Sequence, residues 1–147
     1  MPYILLTVAV IILDQGIKWL IQTRMQLFES YPIWDGMVSL TYAGNNGAAF
    51  NILQGRSKLL ALIAVVVFLV IWFKRRDIAR YPRFFKVGLA LALGGAVGNF
   101  IDRVRLGFVV DYVDFHIWPV FNLADAAILC GAALIILGFL RNDVKDN

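Results

Sequence analysis

The chain has 147 residues, 61% of them hydrophobic and 16% charged, with a formal net charge of +4. Soluble domains are nearer half apolar and a quarter charged, and here the excess falls into helix-length runs, so the composition excludes an ordinary soluble domain and predicts a single integral membrane domain over 1–147. The basic residues cluster between apolar runs, where membrane topology accounts for them without nucleic acid, and a lone cysteine excludes a disulfide framework and a cysteine metal site.

The first apolar run, 3–21, reads as a retained transmembrane helix. No small-residue cleavage site follows it, and Asp14 and Lys18 interrupt its second half. At about 1.5 Å per residue, Asp14 lies about 16 Å from Tyr3, past the middle of the span. Asp14 and Lys18 are four apart and share a helix face. Either they neutralise each other, or they belong to a site, since ionisable groups at that depth are functional by default.

Residues 22–57 are polar enough to leave the bilayer. Within them Val38, Leu40 and Tyr42 alternate with Ser39 and Thr41, a strand pattern. The following AGNNGAAFNIL, 43–53, suits a turn. Asn45 either ends an ordinary hairpin or offers an amide that orients a substrate backbone. The second helix, 58–73, is apolar from Leu59 onward and reads as scaffold. The connection 74–83 opens KRRDIARYPRFFK, with six basic groups against one acidic. So short a basic loop is expected in the cytoplasm.

The third helix, 84–104, carries Gly88, Gly94, Gly95 and Gly98, and the last three include a small-xxx-small spacing that lets neighbouring backbones approach. It ends GNFIDR, where Asn99, Asp102 and Arg103 line one stripe. Asp102 and Arg103 can be read simply as the polar end of a span, and Asn99 as an interhelical hydrogen bond. In the outward segment 105–121, Leu106 to Phe115 alternates and could pair with the earlier strand. The fourth helix is expected over 122–140, with Asn122 suited to its N-cap and Asp125 too far inside to cap it. Cys130 falls within that run as a small core residue. The tail RNDVKDN is polar and without an expected fold.

Four spans put both termini on one side, which the basic loop makes the cytoplasm. Asp14, Asn45, Asn99, Arg103, Asp111, Asn122 and Asp125 then collect toward the outer level, with Trp19, Trp34 and Trp118 as an interfacial belt. There is no glycine-rich phosphate loop, no zinc-ligand spacing and no Ser-His-Asp set. The only histidine, His116, reads as a surface residue. Carboxylates remain. Two close aspartates share one proton, so the ionised one can activate water while the protonated one polarises a carbonyl. That is aspartic peptide hydrolysis, and it calls for no metal and no cofactor.

Five ordered blocks carry a resemblance: DQGIK (14–18), NNGAAF (45–50), GGAVGNFIDR (94–103), VVDYVDF (109–115) and FNLAD (121–125). Together they resemble the lipoprotein signal peptidase (signal peptidase II) family of aspartic peptidases. The resemblance implies four transmembrane helices, a small extracytoplasmic antiparallel sheet and an amphipathic periplasmic helix in a bacterial inner membrane. It implies a substrate too: prolipoproteins whose cysteine carries a diacylglyceryl group, cut just before that cysteine. It makes Asp111 and Asp125 the catalytic pair. Asn45, Gly95, Asn99, Arg103, Asn122, Asp14 and Lys18 become substrate-binding or site-ordering residues. Asn51 departs from the family, where serine commonly follows that block. The enzyme is expected to act as a monomer in contact with membrane lipid. Two alternatives compete: a small proton-coupled transporter using Asp14, Lys18, Asp102 and Arg103, and a non-enzymatic assembly subunit packing through its glycines.

Overall fold

The computed structural model describes residues 2–47 and 55–143, the last three by backbone alone. In chain order it contains α1 (Pro2–Arg24), β1 (Ser30–Trp34), β2 (Val38–Asn45), α2 (Ser57–Ile78), α3 (Arg83–Leu106), β3 (Val109–Asp114) and α4 (Leu123–Asp143). All four helices are long and apolar enough to cross a membrane. Exposed Leu5, Ile12, Leu62, Trp72 and Leu129 coat the outer faces of α1, α2 and α4, and a helix satisfies its own backbone hydrogen bonds, as lipid requires.

Helix α3 is the centre and packs against each of the others. Its small residues make that possible. Gly88 lies against Gly131 of α4 so closely that a Cβ on either would meet the other's carbonyl oxygen, and Gly94 faces Val10 of α1. Phe68 of α2 meets Phe100 of α3 edge to face at 6.1 Å. At the opposite end from the sheet, Tyr81 stacks on Phe85 at 4.3 Å and Phe85 packs on Phe139 at 5.2 Å. Those rings hold the start of α3 to the end of α4.

The three strands form an antiparallel sheet in the order β1-β2-β3. It seats on the end of α1, with Tyr42, Val110 and Tyr112 packed around Ile21 and Met25. Ser30 pairs with Thr41, and Ala43 with Asp111. The fold class is therefore the membrane all-α bundle with a small β element that the sequence predicts.

Several boundaries differ from the sequence expectation. α1 runs to Arg24, and α2 to Ile78. Lys74, Arg75 and Arg76 stay helical because cations are favoured at a helix C-terminus, which leaves 79–82 as the connection rather than 74–83. α3 takes Leu106 and stops at Gly107, whose φ of 82 is a left-handed cap, so the strand begins at Val109. β2 keeps Ala43 to Asn45 in the sheet instead of turning there. β1 went unread because all five of its residues are exposed and give no alternation. Its Pro32 is tolerated on an edge strand. Cys130 is exposed on α4 rather than in the core. The tail is helical to Asp143. Asn51 and 144–147 lie outside the described residues, and among the described residues no amphipathic helix accompanies the sheet.

Candidate active site

The site is built on the first turn of α4. Asn122 is the N-cap: its Oδ1 accepts from the Asp125 amide at 2.9 Å, and Asp125 Oδ2 accepts from the Asn122 amide at 3.3 Å. This reciprocal pair is a capping box, so Asp125 does belong to the cap. The Leu123 amide donates to the Tyr112 hydroxyl at 3.0 Å and the Ala124 amide to Asp14 Oδ1 at 3.0 Å. Side chains from β3 and α1 thus satisfy the N–H groups that a helix start leaves open. Asp125 is fixed in place as a result.

Asp111 comes from β3. The chain folds back after it, with Phe121 and Val113 exchanging backbone hydrogen bonds at 2.8 and 3.1 Å. That return sets Asp111 beside Asn122. Asn122 Nδ2 donates to Asp111 Oδ1 at 2.6 Å, and Asn45 Nδ2 donates to Asp111 Oδ2 at 2.9 Å. Asn122 is therefore bonded to both carboxylates, by its side chain to Asp111 and by its backbone to Asp125. Burial pushes the Asp111 carboxyl up to about 7, and the charge of Asp125 adds to the push. The amides of Asn45 and Asn122, and the Lys18 charge, oppose it without cancelling it.

Behind the pair lies a buried polar layer. Asn99 Nδ2 donates to Asp125 Oδ1 at 2.8 Å. Its Oδ1 accepts from Lys18 Nζ at 2.9 Å and from Asn122 Nδ2 at 3.1 Å, which fixes the orientation of the amide. Lys18 Nζ lies 2.9 Å from Asp14 and 2.9 Å from Asp102, all three side chains fully buried. Gln15 Nε2 reaches Asp102 at 3.0 Å, Gly98 O at 3.1 Å and Asp14 at 3.2 Å. Arg103 Nη2 donates to Gly47 O at 2.9 Å, and its charge acts on Asp125 and Asp111. Gly95 has no side chain to bring to the network. A Cβ there would run into Ala124 O and Ile128, so its part is to let the first turn of α4 approach α3.

Eight of the nine residues singled out from the sequence thus join one network, and Gly95 lets it close. The sequence lets Asp102 be read as the polar end of a span, yet it is a buried partner of Lys18 and accepts from the Val110 amide at 3.0 Å. Its place on the Asn99 stripe was the available signal. Gln15 and Tyr112 were missed altogether. Nothing in the sequence ties a tyrosine on a strand to a helix start.

The structure also gathers a Ser-His-Asp group that sequence spacing hid. Strand pairing sets Ser39 opposite Asp114, and His116 Nε2 lies 3.0 Å from Ser39 Oγ. The group is not a catalytic triad. His116 Nδ1 is 3.6 Å from Asp114, too far for a hydrogen bond. Asp114 accepts from the His116 backbone amide at 2.8 Å and from Thr41 at 3.2 Å instead, and Ser39 is buried. Among the described residues no group of three His, Cys, Asp or Glu side chains is arranged to hold a metal ion.

The model of a family described as "Signal peptidase (SPase) II" matches residues 6–141. The chain belongs to the signal peptidase II family. A lipoprotein signal peptidase of Halothermothrix orenii is 49% identical over 139 residues, covering 93% of each chain. One from Halalkalibacterium halodurans is 40% identical, covering 99% of this chain and 96% of its own. A bacterial membrane enzyme solved by the in meso method at 2.3 Å resolution superposes with a TM-score of 0.91 at 35% identity. That match covers 99% of this chain and 92% of the other. This signal peptidase II is thus a multi-pass bacterial membrane protease of lipoprotein processing, and the transporter alternative finds no support.

Proposed function

We propose that Asp111 and Asp125 are the catalytic pair with which this peptidase removes signal peptides from prolipoproteins. The observation that carries the reading is Asn122, hydrogen-bonded to both carboxylates at the cap of α4. Asp125, half-buried in the first turn of α4, is the ionised base, because a helix N-terminus favours negative charge. Asp111, 1% exposed, is the acid that holds the shared proton. Water gives a proton to Asp125 as its oxygen attacks the scissile carbonyl carbon, and Asp111 gives its proton to the carbonyl oxygen. On collapse the C–N bond breaks. Asp125 then protonates the leaving nitrogen, and Asp111 recovers its proton from the hydroxyl. The chemistry uses no metal or cofactor.

The substrate is a prolipoprotein whose cysteine carries a diacylglyceryl group, cut before that cysteine. Asn45 and Arg103 stand beside the pair to orient the substrate backbone. Gly95, Asn99, Asn122, Asp14 and Lys18 order the site. The basic groups Lys74, Arg75, Arg76, Arg80, Arg83 and Lys86 face the cytoplasm with both termini, and the carboxylates face outward. Exposed Trp19, Trp34 and Trp118 sit at the outer interface. The enzyme works as a monomer in lipid, on a single domain, without nucleic acid.

The test is cleavage of a purified precursor with its diacylglyceryl group. Asp111→Asn and Asp125→Asn each abolish it, whereas Asp114→Asn, which lies outside the network around Asn122, retains it. Cleavage surviving either of the first two changes rules out the pair.

A further inference from the structure

The buried ion cluster touches the chain at two telling places. Asp14 Oδ1 accepts from the amide of Ala124, the residue before Asp125. Asp102 Oδ2 accepts from the amide of Val110, the residue before Asp111. Lys18 Nζ lies 2.9 Å from both of these carboxylates. Each of the two aspartates of the proposed pair is thus held one residue upstream by a second aspartate, and one ammonium group joins the two holders.

We propose that Asp102 is a further positioning residue, which together with the site-ordering Asp14 and Lys18 sets the spacing between Asp111 and Asp125 like the arms of a calliper. This inference rests on the catalytic reading of that pair. The holders come from α1 and α3, while the held residues come from α4 and β3, so the cluster ties four elements at one point. Lys18 has a further hold on the site through Asn99, which bonds Asp125.

A packing role alone would not need this arrangement. Replacing a buried ion group by well-packed apolar side chains is often neutral or stabilising, but apolar side chains could not accept two specific backbone amides. Nor would they fix the directions from which those amides point. Gln15 bonds both holders from the side and completes the cluster. Gly98 faces the Asp14 carboxylate with no room for a Cβ, so the cluster is also shut against displacement.

Spacing has a readable consequence. Like charges raise each other's proton affinity when close, so the gap between the two limbs of the pH–rate profile reports how near the pair is. The variants are Asp102→Ala, which loses both Lys18 and Val110, and Asp102→Asn, which keeps an oxygen for the Val110 amide but loses the ion pair. Asp14→Asn is the matching change on the other arm. In Asp102→Ala, kcat for the lipid-modified precursor falls about 100-fold while KM holds, as a misplacement of about 1 Å at the reacting groups would produce. The basic limb moves down by about one pH unit. Asp102→Asn shows the same changes in smaller measure and carries the test if the alanine variant does not purify. Asp14→Asn shows the same joint change in kcat and in the basic limb, because it opens the other arm of the same calliper.

A uniform loss with both limbs unmoved would overturn the proposal, as would a wild-type pH profile in Asp14→Asn. The catalytic reading fails separately. It falls if Asp111→Asn or Asp125→Asn still cleaves, whatever the Asp102 variants do.

Discussion

Asn122 is the side chain on which cap and site coincide, and its two roles can be separated. Asn122→Ala removes the N-cap oxygen from the Asp125 amide, a loss of about 1 kcal/mol. It also leaves Asp111 Oδ1 without its donor at 2.6 Å, and an unmet buried acceptor costs about 1–3 kcal/mol. Asn99 Oδ1 keeps Lys18 as a donor, so it adds little. The whole comes to about 2–4 kcal/mol, with cleavage abolished. Asn122→Ser separates the parts. A serine hydroxyl caps a helix about as well as asparagine but falls short of Asp111. Most of the stability should therefore remain while kcat/KM drops about 100-fold. Denaturant unfolding in detergent and precursor cleavage measure the two effects on the same preparations. Wild-type cleavage by Asn122→Ser would show that the bridge to Asp111 is not needed. An unchanged unfolding midpoint in Asn122→Ala would refute the account of how α4 starts.

Asp111, raised from its ordinary value to about 7, gives a signed pH dependence. Between its unfolded value and about 7 the folded state binds the extra proton. Its contribution to stability is therefore complete at low pH and is lost as pH rises through that window, up to about 4 kcal/mol. Activity should fall on the basic side as Asp111 loses its proton; a profile flat from about pH 5 to 9 would refute that. Gly95→Ala and Gly16→Ala make one chemical change with opposite outcomes. A Cβ at Gly95 meets Ala124 O and Ile128, whereas Gly16 has nothing within 4 Å. The first should cost about 1–3 kcal/mol and most of the activity, and the second should gain about 0.5–1 kcal/mol from helix propensity; equal unfolding midpoints would count against the close α3–α4 crossing. Tyr112→Phe strips the Leu123 amide of its acceptor and should cost about 1 kcal/mol and part of the cleavage rate, since that amide belongs to the turn that carries Asp125; wild-type cleavage in the precursor assay would show that the turn holds without it.

What the sequence made legible is what repeats along one element. Apolar runs of membrane length mark four spans, because lipid leaves a helix no other solution. Val38, Leu40 and Tyr42 mark β2 by their alternation, though Ser39 on the other face is buried as well. Asp14 with Lys18, and Asn99 with Arg103, could be paired because helical spacing is a local rule. β1 obeyed no such rule. It is covered on neither face, and its pairing with β2 depends on a neighbour rather than on its own pattern.

The contacts that matter most to the site cross between elements, and no spacing encodes them. Asp102 could be placed on a stripe with Asn99 but not opposite Lys18, because that requires knowing how α3 crosses α1. Gly98 settles the crossing by leaving room for the Asp14 carboxylate. From the sequence alone that glycine could as well have faced any neighbour. The sequence puts the start of α4 at Asn122 and reads Asp125 as too far inside to cap it; the start is where the sequence puts it, and the Asp125 carboxylate still turns back to accept from the Asn122 amide. What no spacing encodes is that Tyr112 and Asp14 arrive from β3 and α1 to take the free amides of that start. Which groups take the free amides of a helix start is a tertiary fact, and the place proposed for Asp125 beside Asp111 depends on it, because those partners hold the turn that carries Asp125.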